Sequence, residues 1–295
     1  RYLSRVGFDP TAMAGFLGEL RSDSRLSGLR RGESPDKVDQ FNYLATHPAP
    51  AARVQRATAL ARKKNVKNPM TARDIYLSKL DGLLYSNDPA EGFIRGKDFL
   101  HPKLRFAFTV PDGFNLRNSN KAVYALGPNK SRIIFDRAGK PVDGTMENYV
   151  GRVWGSKMRL RDMETVRVNG LEAATATTQV RTNNGTFNAR LTAFRVDTKT
   201  IYRMIFLTAG ADTNGLTTGL RRTTYSFRRL SPAEASRLRP LVLRIVTVQR
   251  GDTVGSLARR MPYSDFKLER FEVLNGISRN DRLRRGQKLK MVTAN

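Results

Sequence analysis

The residues best placed to do chemistry sit in Thr46-His47-Pro48-Ala49-Pro50, with Arg53 a short way along. An imidazole and a guanidinium at a helix entrance could face one cleft, and histidine is the commonest metal ligand. A catalytic zinc, however, takes about three protein ligands, and its commonest motif sets two histidines one helical turn apart. The chain has two histidines, His47 and His101, in distant segments, and no cysteine. It therefore supplies no complete site of that kind, and disulfides and thiol chemistry are excluded. His47 reads either as a cleft-lining residue or as a surface histidine beside a helix-starting proline. His101 precedes Pro102 just before a strand and is expected to be structural or exposed.

A second constellation, Gly251-Asp252-Thr253, suits binding rather than catalysis. Glycine permits a tight strand-to-helix turn, Asp or Thr caps the helix, and Leu257 and Ala258 pack inward. Asn275-Gly276 lies beyond the next helix. Arg282, Arg284 and Arg285 follow as a basic cluster, read either as a solvated face or as contacts to acidic stems or phosphates.

Three regions must position these residues. Residues 1–80 read as helical: Gly7 ends a first helix, Asp9-Pro10 starts a second, and Met13, Phe16, Leu17 and Leu20 fall on one face that should be buried. Ser, Gly, Arg and Asp between Arg21 and Asp39 predict a surface loop. A further helix should begin near Pro48 or Pro50, with Val54, Ala57 and Ala61 inward. Residues 98–231 change to a period of two, with strands expected at 104–110, 123–126, 132–135, 164–168, 172–180, 186–196 and 201–207. Helices at 145–153 and 215–227 complete an antiparallel sheet with flanking helices. Trp154 reads as a core anchor, and Asn184-Gly185-Thr186 as a hairpin turn that happens to fit a glycosylation sequon. Residues 240–295 read as strand, helix, helix, strand. The fold class is therefore α+β.

Lys and Arg number 53 against 26 Asp and Glu, a net charge of +27. The excess is spread over every region, which disfavours a dedicated nucleic-acid groove and suits equally an anionic cell envelope, including peripheral contact with acidic membranes. No run approaches the roughly 20 apolar residues of a membrane span. Arg1-Tyr2-Leu3-Ser4-Arg5 reads as a helix continued, so the chain is expected to be the C-terminal remainder of a longer protein.

Tyr2-Leu3, Gly7-Phe8-Asp9-Pro10, Thr46-His47-Pro48 and Arg53-Val54 together resemble the C-terminal half of the catalytic domain in bacterial HExxH zinc metallopeptidases, the group of membrane heat-shock, CAAX-prenyl and outer-membrane-assembly proteases. The resemblance implies that His47 lines the zinc cleft or acts as an accessory ligand, and that Arg53 is a structural or substrate-contacting residue. Zinc would be bound by the intact parent and not by this chain, which lacks the HExxH motif and should be inactive alone. Arg105–Phe114 resembles the opening strand of PsbP-like domains. Val246-Thr247-Val248, Gly251-Asp252-Thr253, Leu274-Asn275-Gly276 and Leu283–Lys290 resemble a LysM domain, a βααβ module that binds N-acetylglucosamine polymers such as peptidoglycan. That resemblance implies glycan contacts at Gly251, Asp252, Thr253, Asn275 and Gly276, or else a scaffold or docking role.

These resemblances lead to the reading of a non-catalytic C-terminal portion of a periplasmic zinc metalloendopeptidase from a Gram-negative bacterium, positioning the enzyme at the cell wall or outer-membrane assembly machinery, with unfolded or misassembled envelope proteins as the intact enzyme's substrates. The alternative is a non-enzymatic protein that binds peptidoglycan or the envelope. Nucleic-acid binding through charge is a minor third.

Overall fold

The computed structural model describes residues 2–30, 32–40, 50–64, 66–85, 88–140, 143–182, 185–210 and 213–294. His47 and its neighbours Thr46 and Pro48 lie outside the described residues, as do Asn183 and Asn184. The fold is α+β and divides into two compact units, Arg1–Ser86 with Leu241–Asn295, and Asn87–Pro240. The first and third regions of the sequence reading thus fall within one unit.

That unit opens with α1 (Tyr2–Arg5), α2 (Ala12–Arg30), α3 (Pro50–Arg62) and α4 (Arg73–Leu80). Asp9 Oδ1 accepts from the Thr11 amide at 2.8 Å just ahead of α2. The apolar stripe of α2 is not buried: Met13, Phe16 and Leu20 are 48%, 57% and 43% exposed, and the buried positions of the helix are Leu26 and Gly28. Helical spacing fixes which residues share a face, not whether anything covers it. The loop expected from Arg21 is also helix as far as Arg30, followed by a 3₁₀ turn at Pro35–Asp39. Arg21 grips Asp39 through Nε at 2.9 Å and Nη2 at 2.5 Å, and Arg25 meets Asp36 at 2.9 Å, so side-chain charge pairs hold the turn against the helix that produces it. On α3, Ala61 is buried, Val54 and Ala57 are half-buried, and Arg53 is exposed.

The second unit holds two antiparallel sheets. The first runs in the order β1 (Phe93–Arg95), β2 (Asp98–His101), β3 (Phe106–Thr109), with the two-residue β11 (Arg228–Arg229) on its far edge. The second has seven strands. It contains β4 (Asn115–Asn118), β5 (Val123–Leu126), β6 (Arg132–Arg137), β7 (Arg161–Val168), β8 (Leu171–Thr182), β9 (Gly185–Asp197) and β10 (Thr200–Ala209), in the order 4-5-6-10-9-8-7. Helix α5 (Met146–Asn148) continues into a π-helical turn at Tyr149–Trp154, α6 (Thr213–Ser226) follows β10, and α7 (Pro232–Arg237) starts on a Ser231–Glu234 capping box. The alternating pattern located the long strands correctly. It missed β1, β2, β4 and β11, which have two to four residues each.

The core explains the alternation. Phe106, Phe135, Phe194 and Phe227 are all buried, with Phe227 centred 4.5 Å from Phe194 and 5.6 Å from Phe135. His101 joins them: it is 6% exposed, lies 5.3 Å from the Phe106 ring, and its Nδ1 accepts from the Leu104 amide at 3.2 Å. Burial, reinforced by the nearby Lys103, lowers its pKa from 6.5 to about 4, so the ring is neutral at pH 7. Trp154 stacks on Tyr149 and carries Arg203 over its face at 5.1 Å, which anchors the π-helical turn to the sheet.

The chain then returns to the first unit through β12 (Leu241–Thr247), α8 (Val254–Arg259), α9 (Lys267–Asn275) and β13 (Lys288–Ala294). β12 and β13 pair antiparallel, and Leu243, Val254, Leu257, Phe271 and Leu289 form the centre of a small core. The segment after α4 adds to the free edge of β12: the Gly82 amide donates to Leu243 O at 2.8 Å and Tyr85 to Leu241 O at 2.7 Å. This edge pairing is why the N-terminal helices and the βααβ module form one unit.

Candidate functional site

Two loops of the βααβ module are shaped by local hydrogen bonds. In the first, Gly251 adopts φ +87°, open to glycine at no steric cost, and Asp252 Oδ2 accepts from the Gln249 amide at 2.7 Å. Thr253 then caps α8 reciprocally: its Oγ1 accepts from the Ser256 amide at 3.1 Å and Ser256 Oγ accepts from the Thr253 amide at 2.9 Å. In the second loop, Asp281 Oδ2 accepts from the Ser278 amide at 3.0 Å and Gln287 Oε1 from the Arg284 amide at 3.1 Å. Val248 joins the loops, donating to Gln287 O at 2.9 Å and accepting from the Gly286 amide at 3.0 Å.

Beside this junction is an open cleft of about 440 Å³ lined by Ile277, Asp281, Arg282, Leu283, Arg284 and Gln287. Ile277 and Leu283 offer apolar surface, while Arg282 and Arg284 are exposed donors. Such a surface can hold a ring's apolar face and its polar edge. It presents no nucleophile with an adjacent base, and among the described residues no three His, Cys, Asp or Glu side chains gather in a group that could hold a metal ion. The residues that line the cleft do not fit zinc.

The five residues expected to touch glycan are placed differently from one another. Gly251, Asp252 and Thr253 form the first loop, and none of the five lines the cleft. Asn275 points to the body of the module: its Nδ2 donates to Lys290 O at 2.8 Å and to Phe271 O at 3.1 Å, and its Oδ1 accepts from the Lys290 amide at 2.7 Å. It imitates a strand neighbour for β13. Gly276 ends α9 at φ +65°, and a Cβ there would lie 2.5 Å from the Glu19 carboxylate of α2. Burial raises the Glu19 pKa against the opposing pull of Lys290, and burial lowers that of Lys290 against the pull of Glu19. Ile277 and Asp281 were not singled out from sequence. Their signal is the Ser278-to-Asp281 turn, which holds the loop open. The connection at Met261–Phe266 folds back on α9, with Arg270 bonded to Asp265 at 2.9 Å and stacked over Tyr263 at 4.2 Å, and contributes nothing to the cleft.

The LysM domain family model matches the chain over residues 246–291. Residues 246–291 are a LysM domain. No curated protein matches the chain. Among solved structures, cyanobacterial PsbP from Synechocystis is 14% identical, covering 47% of this chain and 98% of its own, with a TM-score of 0.36. LpqN of Mycobacterium tuberculosis, a protein involved in cell envelope biogenesis, is 10% identical over 43% of this chain and 83% of its own, with a TM-score of 0.35. The Ran-binding protein Mog1p of Saccharomyces cerevisiae is 11% identical over 46% and 96%, with a TM-score of 0.32. Likeness at this level bears on neither ligand nor partner. The metallopeptidase resemblance of residues 1–60 gains no support from any of these matches. Among the described residues no helix is long and apolar enough to cross a membrane.

Proposed function

We propose that the chain is a non-enzymatic protein of the cell envelope, outside the cytoplasm, whose LysM domain holds it to peptidoglycan. The observation that carries this reading is the LysM match over 246–291 together with the open cleft on the Ile277–Gln287 segment, which backbone bonds to Val248 hold in place. Preformed loops lower the ordering cost of binding. The net charge of +27 adds attraction to anionic wall polymers. No feature of the site favours a protease parent, so zinc and protein substrates have no part in this reading.

The test is retention of the full chain on purified peptidoglycan. Retention should persist at about 0.5 M salt, where the Debye length is only a few ångströms, and soluble N-acetylglucosamine oligomers should release the protein. Replacing Arg282 and Arg284 with Ala together should weaken retention about tenfold, in line with losing two polar contacts. Retention that vanishes with salt and ignores the oligomers would reduce the effect to net charge.

A further inference from the structure

A second cleft lies wholly in the Asn87–Pro240 unit, on a face of the seven-stranded sheet that no sequence motif marks. Strands β8 and β9 are 12 and 13 residues long and pair throughout, with Thr175 opposite Thr192 and Thr177 opposite Arg190. β10 continues the face, placing Phe206 opposite Arg190. At one end the face is sealed: Ala173, Phe194, Tyr202 and Met204 lie in the aromatic core. Toward the other end it becomes polar and opens into a cleft of about 1060 Å³, bordered by the α6 residues Leu220 and Arg221 and by β7. That volume matches the upper range of small-molecule sites.

Arg190 is the informative residue. It is half-buried, its Nη1 donates to Thr175 Oγ1 at 3.3 Å, and it forms an ion pair with none of the described carboxylates. Thr175 is itself fixed, donating to Leu191 O at 2.9 Å, with Thr192 Oγ1 at 3.3 Å. The two other half-buried arginines of the same sheet behave otherwise. Arg195 pairs with Glu172 at 3.2 Å and Arg203 with Asp136 at 2.5 Å. A guanidinium drawn partly out of water, oriented by a buried hydroxyl and given no counter-charge, is arranged to receive an anion. Six cationic side chains line the cleft against two carboxylates, Asp162 and Glu164.

The carboxylates narrow the class of ligand. Asp162 sits in a β-bulge of β7 with φ +48°, a left-handed conformation rare for a residue with a Cβ, and the bulge aims its carboxylate at Thr177 Oγ1, 2.6 Å away. Asn188 and Gln179 bond to each other beside it at 3.2 Å. Asp162 and Glu164 put carboxylates on one wall, so a ligand anionic along its whole length would meet like charge there. A molecule with one anionic group and several hydroxyls would find donors at Arg190 and acceptors at Asp162 and Asn188, with Phe206 and Leu220 for its apolar face.

We propose that this cleft binds an acidic sugar, with its carboxylate or phosphate on Arg190 and its hydroxyls on the Thr177–Asp162 wall. The assignment is independent of the LysM domain. It is tested by titrating the full chain calorimetrically with glucuronate, glucose 6-phosphate, glucose and inorganic phosphate. Glucuronate, glucose 6-phosphate or both should bind, which fixes the anionic group as carboxylate, phosphate or either, while glucose and inorganic phosphate alone should be about tenfold weaker or more. Arg190→Gln should lose at least about tenfold in affinity for the acidic sugar, with Arg190→Lys intermediate and an unchanged melting profile in both. Equal binding to wild type and Arg190→Gln, inorganic phosphate as tight as the sugar phosphate, or no heat from either acidic sugar overturns the proposal.

Discussion

In the LysM domain the polar side chains Asp252, Thr253, Asn275 and Gln287 all accept hydrogen bonds from backbone amides, and so shape the loops around the cleft. On the β8–β9 face the backbone amides are already satisfied by strand pairing, so Arg190 lies along the sheet surface with Thr175 as its side-chain partner and pairs with none of the described carboxylates. The comparison separates two ways of building a site. A module of about 50 residues has a small core and must fix its loops by side-chain to backbone bonds. A long-stranded sheet with an aromatic core can hold unsatisfied groups on its surface, because its backbone needs nothing from them.

The comparison makes the sheet unit's stability a matter of aromatic packing. Replacing Phe227, fully buried among Phe106, Phe135, Phe194 and Tyr202, with Ala should destabilise the sheet unit by about 3–5 kcal/mol. Thermal unfolding followed beside peptidoglycan retention checks this: the sheet's transition should fall while the LysM domain still binds. Simultaneous loss of both at one temperature would show that the two units do not melt independently.

Acid should affect the same unit next. The unfolded chain protonates His101 near pH 6.5, whereas the folded sheet holds it neutral down to about pH 4. The unfolded state therefore binds the extra proton first, and stability falls as pH drops from 6.5 toward 4, by about 3 kcal/mol for a shift of this size. Denaturant unfolding of wild type and His101→Phe at pH 7 and pH 4.5 reads the difference. The wild type should lose more between the two pH values than the variant, and parallel losses would place the acid sensitivity elsewhere.

A smaller effect sharpens the other side of the comparison. Asn275→Ala removes the pairing with both backbone groups of Lys290, and should destabilise the LysM domain by about 1–3 kcal/mol. Because its amide faces β13 and not the cleft, glycan affinity measured well below the melting temperature should stay within about twofold. A large loss of affinity in a folded variant would make Asn275 a contact residue after all.

Much of the fold was legible, for reasons that also mark the limits. Alternation exposed β8, β9 and β10 because each has at least 10 residues and one face in the core. The LysM domain was legible because its turns demand particular residues: glycine at φ +87° at Gly251, and a hydroxyl at the Thr253 cap. The α2 face was misread because Met13, Phe16 and Leu20 have helical spacing but stay 43–57% exposed among the described residues. The pairing of Arg21 with Asp39, which sets where that helix ends, spans 18 positions and leaves no local pattern. Arg190 was invisible for the same reason: its significance is the absence of a carboxylate that Arg195 and Arg203 have, and that depends on strand register.

The central claim, that the LysM cleft is where this chain meets the wall, is tested most directly by backbone amide NMR of the full chain titrated with an N-acetylglucosamine oligomer. Saturable shifts should concentrate in Gln249–Thr253 and Ile277–Gln287, with Asn275 and the sheet strands unmoved. Shifts spread over the basic surface without saturation, or none in those two loops, would contradict the account.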